Sequence, residues 1–180
     1  MDQVVKKILQ DLKAELMDEF DQNFARKGFF GQSWPVTKLP SHIGSLMMRT
    51  GNLRKSLRAK VNGASIVFFS SKPYASLHNE GGTIVVTAKM KKFFWKMYLK
   101  SSKSKSYMSE DHKSYSIKRK HESDNAEIWK ALALKKVGSK IVFKPRRFIG
   151  SHPQVDIAVR RVVDTNMKGL HEFIKNKLTR

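Results

Sequence analysis

Histidine is the residue type in this chain that most readily suggests chemistry. The sequence holds six histidines, and His78, which precedes Asn79, could join His112 and His121 in a metal-binding set of the kind that some nucleases use. A catalytic metal needs two or three ligands that a rigid scaffold holds and further hydrogen bonds orient. His112 and His121 instead lie in a basic, serine-rich stretch that is almost free of aliphatic residues. We therefore predict no metal site.

Nucleophiles and acid–base pairs are equally sparse. The chain has no cysteine, which excludes thiol catalysis, disulfides, cysteine zinc sites and iron–sulfur centres. No glycine-rich phosphate loop, nucleophile elbow or paired-carboxylate motif occurs. Catalysis is the weakest hypothesis, and we predict no catalytic residue and no cofactor. Many of the acids fall instead on the outer face of the first predicted helix, namely Asp11, Glu15, Asp18, Glu19 and Asp21.

Lysines interleaved with aromatic residues form the most unusual segment. Residues 89–120 contain eleven basic residues and two acids, and the first twelve alternate lysines with large apolar side chains. Rings that stack bases beside lysines that hold phosphates are typical of single-strand binders. A helix with its rings buried and its lysines solvated gives the same pattern. A third possibility is that some of the aromatic rings stay exposed until a neighbouring subunit covers them. The residues predicted to contact a partner or DNA are Lys91, Lys92, Phe94, Trp95, Lys96, Lys103, Lys105, Lys118, Arg119 and Lys120.

The positive charge is unevenly distributed along the chain. Residues 1–22 contain three lysines and six acids, whereas the 180-residue chain as a whole has a formal net charge of +21. Such a charge indicates a polyanionic partner, an acidic protein surface, or self-repulsion that assembly relieves. The composition does not choose among these three.

Two amphipathic helices and several strands must position these residues. Apolar residues recur three or four apart over 4–24, which predicts a helix that ends before Gly28. Ser151, followed by Pro153 and Gln154, predicts a capped start for a second long helix. Both helices have one apolar face, so each must pack against another layer.

Strand signals lie between these helices. Residues 57–61 and 65–70 flank the hairpin dipeptide Asn62-Gly63, and residues 83–87 and 139–144 are rich in β-branched side chains. The sequence therefore predicts an α+β fold: an antiparallel sheet of three to five strands flanked by long N- and C-terminal helices, with a basic helical insertion.

The length fits a single domain, 1–180, and we predict that 89–138 is a basic, partly mobile insertion within it. Residues 89–100 favour helix because few are β-branched, and a further helix is expected from Asp124 to near Gly138. No apolar run approaches the ~20 residues that a membrane span needs, and the first residues lack the pattern of a signal peptide. We expect no membrane partner.

Three short segments carry a pattern of their own. The first has a threonine-glycine, a leucine two residues on, and a serine before an aliphatic residue. The second has tyrosine-alanine, then histidine, then two glycines, and the third has arginine-phenylalanine-aliphatic-glycine. Their informative residues are Thr50, Gly51, Leu53, Ser56, Tyr74, Ala75, His78, Gly81, Gly82, Arg147, Phe148 and Gly150.

In order and spacing these segments, with Trp34-Pro35 upstream, resemble the phage virion morphogenesis family, the Mu-like tail-completion and head–tail joining (neck) proteins. The resemblance covers roughly 34–88 and 139–180 and leaves the basic insertion uncovered. It implies a structural virion protein of a tailed phage or prophage that forms an oligomeric ring. The implied partners are copies of itself and other phage head, neck or tail proteins, with non-specific DNA contact, and the implied location is the virion, assembled in the host cytoplasm.

Within that resemblance the motif residues have structural readings. The motif glycines should adopt backbone angles closed to other residues, and Tyr74 offers a ring for the core and a hydroxyl for a hydrogen bond. We predict that His78 is buried or bonds a turn. Of Arg146 and Arg147, one could tie its loop to a carboxylate while the other faces a partner. The alternative function is a nucleic-acid-binding module that uses the basic aromatic insertion.

Overall fold

A computed structural model describes residues 2–37, 45–103 and 125–179. The fold is α+β, as predicted, with long N- and C-terminal helices and small antiparallel strand pairs. The described chain forms two compact units. The first comprises residues 2–35, 45–80 and 145–179, and the second comprises 36–37, 81–103 and 125–144. None of the described helices is both long and apolar enough to cross a bilayer.

Helix α1, Asp2–Arg26, extends two residues beyond the predicted span at each end. Its apolar face is buried at the three- and four-residue spacing on which the prediction rested, so packing and periodicity agree. The chain leaves the helix at Lys27, whose φ of +53° is the left-handed angle that often ends a helix. The buried residues of α1 include Leu9, Leu12, Leu16, Phe20 and Phe24.

The aromatic loop after α1 is a minimal hairpin. Strand β1, Gly28–Phe29, pairs with β2, Gln32–Ser33, across a turn at Phe30 and Gly31, both with positive φ. Gly28 is required here because a Cβ atom on it would lie 2.6 Å from the carbonyl oxygen of Gln32. Phe29 is buried in the core of the first unit, so the hairpin closes one side of that core.

The longer hairpin of the first unit consists of β3, Leu57–Asn62, and β4, Ser65–Ser70. The predicted hairpin is confirmed, but the turn residues are Gly63 and Ala64, because Asn62 pairs directly with Ser65. Gly63 has φ +58°, which suits glycine in so tight a turn. A short helix α2, Ala75–Glu80, follows the hairpin; the sequence patterns did not indicate it.

Helix α5, Pro153–Leu178, packs along α1 and completes the first unit. Its capping residue is His152 and not the predicted Ser151. The Nδ1 atom of His152 accepts the backbone N–H of Gln154 at 3.2 Å, and Pro153 occupies the first turn as expected. His152 is held in place by stacking on Phe30, with ring centroids 4.8 Å apart.

The second unit pairs β5, Gly82–Val85, with β6, Lys140–Phe143, in antiparallel register. Helix α3, Ala88–Lys103, confirms the helix predicted over 89–100. A further helix α4 spans residues 125–134, which is shorter than the predicted extent to near Gly138. Phe94, Trp129 and Ala133 form the buried cluster of this unit. The residues between α3 and α4 lie outside the described part of the chain.

The strands do not form one sheet among the described residues. They form three separate antiparallel pairs, where the sequence predicts a single sheet of three to five strands. A helix follows each of two strands in the chain: α2 comes after β4, and α3 comes after β5. Each strand pairs with a single partner in the described ranges.

Candidate functional site

The three motif segments meet in the first unit around the loop that precedes α5. The backbone N–H groups of Phe148 and Ile149 both donate to Oδ1 of Asn79, at 2.9 and 3.2 Å. The N–H of Arg146 donates to the carbonyl oxygen of His78 at 2.7 Å. Residues of the second and third motifs are therefore joined directly, although about 70 positions separate them in the sequence.

The Trp34-Pro35 segment joins the same loop from another side. The indole Nε1–H of Trp34 donates to the carbonyl oxygen of Arg147, and Nε of Arg146 donates to the carbonyl oxygen of Pro35 at 2.9 Å. Arg146 is buried, whereas the Arg147 side chain is exposed. The prediction that one arginine ties the loop is confirmed for Arg146, with the correction that its acceptor is a backbone carbonyl and not a carboxylate.

Asn23 of α1 closes the network from the helix side. Its side chain is fully buried, its Nδ2 donates to the carbonyl oxygen of Phe148, and its Oδ1 accepts the N–H of Phe30, each at 3.2 Å. Phe148 itself is fully buried against Phe24, with ring centroids 5.1 Å apart. Sequence analysis did not single out Asn23, although a polar residue next to the apolar stripe of a helix is a signal for such a role.

The first motif packs into the same core. Leu53 is buried with Leu57, and the hydroxyl of Ser56 donates to the carbonyl oxygen of Leu53 at 2.6 Å and lies 2.7 Å from the hydroxyl of Ser70. Gly51 has φ +70°, as predicted for the turn before them. Thr50 is exposed beside Gly51, so it makes no contribution to this core.

The second motif lies on α2 and at its end. Ala75 is buried in the core, but Tyr74 is 40% exposed and packs edge-on against His78, with ring centroids 5.9 Å apart. The expected core position of the Tyr74 ring is therefore wrong. Gly81 and Gly82 have φ values of +76° and +150°, which confirms the prediction that they adopt backbone angles that suit glycine. Gly150 of the third motif also has a positive φ, +142°, in the loop before α5.

His78 is half-buried, in agreement with its predicted structural position. Burial disfavours the imidazolium form, and the positive charge of the nearby Arg146 disfavours it further, so the pKa of His78 lies below its ordinary value. The neutral form of His78 is therefore favoured more strongly than in an ordinary histidine. Desolvation also lowers the pKa of Arg146.

The acids of α1 do not simply face solvent. Asp21 accepts two hydrogen bonds from the guanidinium of Arg54, and this contact raises the pKa of Arg54. Arg161 of α5 forms an ion pair with Glu15 through a single hydrogen bond. The five acids predicted to face outward are exposed or half-buried, and each accepts a hydrogen bond from a basic or amide side chain of the first unit: Asp11 from Asn166, Glu15 from Arg161, Asp18 from Gln22, Glu19 from Arg26 and Asp21 from Arg54.

A cavity of about 250 Å³ opens beside these ion pairs, between α1 and the start of α5. Its charged lining residues, Glu19, Arg26 and Arg161, are members of the ion pairs just described. No group of three or more histidine, aspartate or glutamate side chains that could hold a metal ion occurs in the described ranges.

The predicted partner-contact residues between 91 and 120 differ in their exposure, and some of them are not described. Phe94 is buried and stacks on Trp129, with ring centroids 6.1 Å apart, so its prediction as a contact residue is wrong. Trp95 is 39% exposed. Lys92 and Lys96 are exposed and Lys91 is half-buried. Lys103 is the last residue of α3. Four of the predicted residues lie outside the described part: Lys105, Lys118, Arg119 and Lys120.

Lysine dominates the charge of the second unit. Its described residues include eleven lysines, no arginine and a single acid, Glu127. The three ion pairs found among the described residues all lie in the first unit. Among its described residues the second unit therefore carries a strong positive charge, with Glu127 as its single acid and no ion pair.

Comparison of the chain with protein-family models, with curated proteins and with solved structures finds no match.

Proposed function

We propose that this chain is a structural assembly protein of a tailed-phage or prophage virion, which completes the tail or joins head to tail as part of an oligomeric ring. The observation that carries the proposal is the junction of Asn79, His78 and Trp34 with the loop before α5. The segments that resemble the family are also the ones that hydrogen-bond and pack together in one unit. Their contacts are to backbone groups and core side chains, which suits a scaffold.

The surfaces for self-association are the two longer strand pairs, the β3–β4 hairpin and the β5–β6 pair. In the described residues each of these strands has one edge without a partner strand, and such edges accept a strand from a neighbour. Isolated two-stranded pairs are marginally stable in water, so added strands would stabilise them. The predicted sheet of three to five strands is then a property of the assembly, in which a neighbouring copy extends a hairpin.

The outer faces of these strand pairs support the same role. Val67 and Phe69 on β4 are 50% and 43% exposed, and Val85 on β5 and Val142 on β6 are 51% and 76% exposed. Exposed apolar residues of this size are common at protein–protein contacts. The partners we propose are copies of the chain and other head, neck or tail proteins of the virion, which forms in the bacterial host cytoplasm.

The assembly role is tested by size-exclusion chromatography with light scattering on the purified chain and on two double variants. We expect a discrete oligomer for the unmodified chain and its loss in Val67→Ser/Phe69→Ser. The matched control, Ile157→Ser/Met167→Ser, removes residues of similar exposure from α5 and should leave the oligomer intact. Loss of the oligomer in the control variant alone would reject the β3–β4 hairpin as the interface, although the chain would still be an assembly protein. A monomer at every concentration, or metal-dependent cleavage of plasmid DNA, would contradict the assembly role.

A second candidate function is a nucleic-acid-binding module. The observation that favours it is the exposure of Phe93 and Trp95, 51% and 39%, on a helix with six lysines. Ionic strength separates the two candidates: a phosphate binder loses affinity steeply with salt, with a log–log slope of about −0.9 per phosphate neutralised on duplex DNA. A monomer that binds DNA tightly, with an affinity that falls steeply with salt, supports the nucleic-acid-binding module. An oligomer with weak binding supports the assembly protein.

A further inference from the structure

Four exposed lysines form a row along one face of α3. Lys89, Lys92, Lys96 and Lys100 are spaced by three or four residues, which places them within one side of the helix. The opposite side carries Phe94, which packs against Trp129 of α4. At 1.5 Å per residue the row is about 16 Å long. The outer face of α3 therefore presents a continuous row of basic side chains.

This row is electrostatically unfavourable in the isolated chain. Like charges three or four residues apart on a helix repel each other and destabilise it. The first turn of α3 contains no acid, and lysines there also oppose the positive end of the helix dipole. An anion along this face would relieve both effects.

The chain itself does not supply that anion in its described part. The α1 acids with described side chains are engaged by Arg54, Arg161, Arg26 and two amide side chains. The acids of α5 are interspersed with basic residues, and the other described acids are single ones, Glu80 at the end of α2 and Glu127 in the second unit. In the described ranges the acids are thus paired, isolated or mixed with basic residues, which favours an external polyanion as the partner of the row.

The predominance of lysine indicates which groups of the polyanion the row contacts. Lysine is a compact point charge that binds phosphates, whereas arginine has the planar, bidentate geometry that most often recognises guanine. Every basic residue of the described second unit is lysine. Over about 16 Å a DNA duplex carries on the order of ten phosphate charges, enough to engage the whole row.

We infer that the outer face of α3 binds the phosphate backbone of nucleic acid without reading its bases. This inference rests on the nucleic-acid contact described above, which it narrows to one helix face, and it does not require ring formation. Leu99 and Trp95, 50% and 39% exposed at the edge of the row, would lie against sugars or unpaired bases.

The test measures fluorescence anisotropy of two labelled duplexes of unrelated sequence, and one single strand, over a range of salt concentrations. The variant Lys92→Gln/Lys96→Gln/Lys100→Gln keeps residues that favour helix. Its control, Lys168→Gln/Lys175→Gln/Lys177→Gln, removes the same charge from exposed positions of α5. A Lys→Arg variant at the three α3 positions restores the charge, and circular dichroism checks the fold of each protein.

We expect equal affinity for the two duplexes and a log–log salt slope that falls by about 2 to 3 in the α3 glutamine variant. The α5 control and the arginine variant should keep the slope of the unmodified chain. Equal losses in both glutamine variants would overturn the α3 assignment while leaving nucleic-acid binding intact. A tenfold preference for one duplex would overturn the sequence-independent contact. Binding to polyglutamate without binding to DNA would reject both the α3 assignment and the nucleic-acid contact, and would indicate an acidic protein partner. This outcome does not depend on the oligomeric state.

Discussion

At the residue scale, two asparagines fix the loop that carries the third motif. Asn23 bonds one backbone carbonyl and one N–H, and Asn79 accepts two N–H groups of the same loop. Buried backbone groups need such partners because burial removes water as an alternative. The loop from Arg146 to Gly150 has no helix or strand to satisfy it, so these side chains take that role.

Replacing Asn79 with alanine should lower the free energy of unfolding by roughly 1–3 kcal/mol, because two N–H groups lose their acceptor. The variant Asn79→Asp keeps an acceptor oxygen and should lose clearly less. Urea denaturation of the two variants beside the unmodified chain measures the difference. Equal losses in the alanine and aspartate variants would show that the acceptor is not what matters at this position.

A second residue-scale prediction concerns pH. Because burial and Arg146 hold the pKa of His78 below its ordinary value of about 6.5, the unfolded chain binds a proton more readily than the folded chain. The His78 contribution to stability is therefore complete above about pH 6.5 and is lost as the pH falls through the lower folded pKa.

The pH dependence is measured by denaturation between neutral and mildly acidic pH. We expect the variant His78→Gln to show a shallower loss of stability on acidification than the unmodified chain. His171, which is exposed on α5, provides the matched control His171→Gln and should reproduce the unmodified profile. Identical profiles for the His78→Gln variant and the unmodified chain would contradict the assigned role of burial.

At the element scale, the turn after α1 places two residues with opposite requirements side by side. Gly28→Ala should destabilise the fold by roughly 1–3 kcal/mol, because the new Cβ meets a backbone oxygen that cannot simply rotate away. Lys27→Gly should instead stabilise it by roughly 0.5–1 kcal/mol, since Lys27 holds a left-handed angle. Thermal denaturation compares the two. Stabilisation by Gly28→Ala would contradict this account of the turn.

Elements with a local signal could be predicted from the sequence, whereas pairings between distant elements could not. The apolar spacing of α1 and the turn signal at Gly63 each act within a few residues, and both elements were found, although the turn lies one residue later than Asn62-Gly63 predicts. The β5–β6 pair joins residues more than 50 positions apart, which no local pattern encodes. The helix cap moved by one residue because His152 gains a ring contact with Phe30 that spacing does not reveal.

The candidate site was predictable to a similar degree. Motif spacing identified Leu53, Ser56, Ala75 and Phe148, which are all buried as structural residues. It did not identify the polar partners, since Asn23 and Asn79 act on backbone groups 125 and 69 residues away. In α3 the sequence left open which rings face inward, and the packing of Trp129 against Phe94 decided it.

At the scale of the whole molecule, the two units treat positive charge differently. In the first unit, several arginines donate to carboxylates or carbonyl oxygens, as Arg54, Arg146 and Arg161 illustrate. In the second unit, the described basic residues are lysines, most of them exposed, and they form no ion pairs in the described ranges. We propose that this division separates a scaffold that assembles from a surface that meets a polyanion.

The measurement that tests the central claim most directly is electron microscopy of the purified full chain, with two-dimensional averaging of single particles. If the chain is an assembly protein, the averages should contain closed rings with a single copy number, and Val67→Ser/Phe69→Ser should abolish them without unfolding the chain. Monomeric particles of the unmodified chain at every concentration would contradict the account.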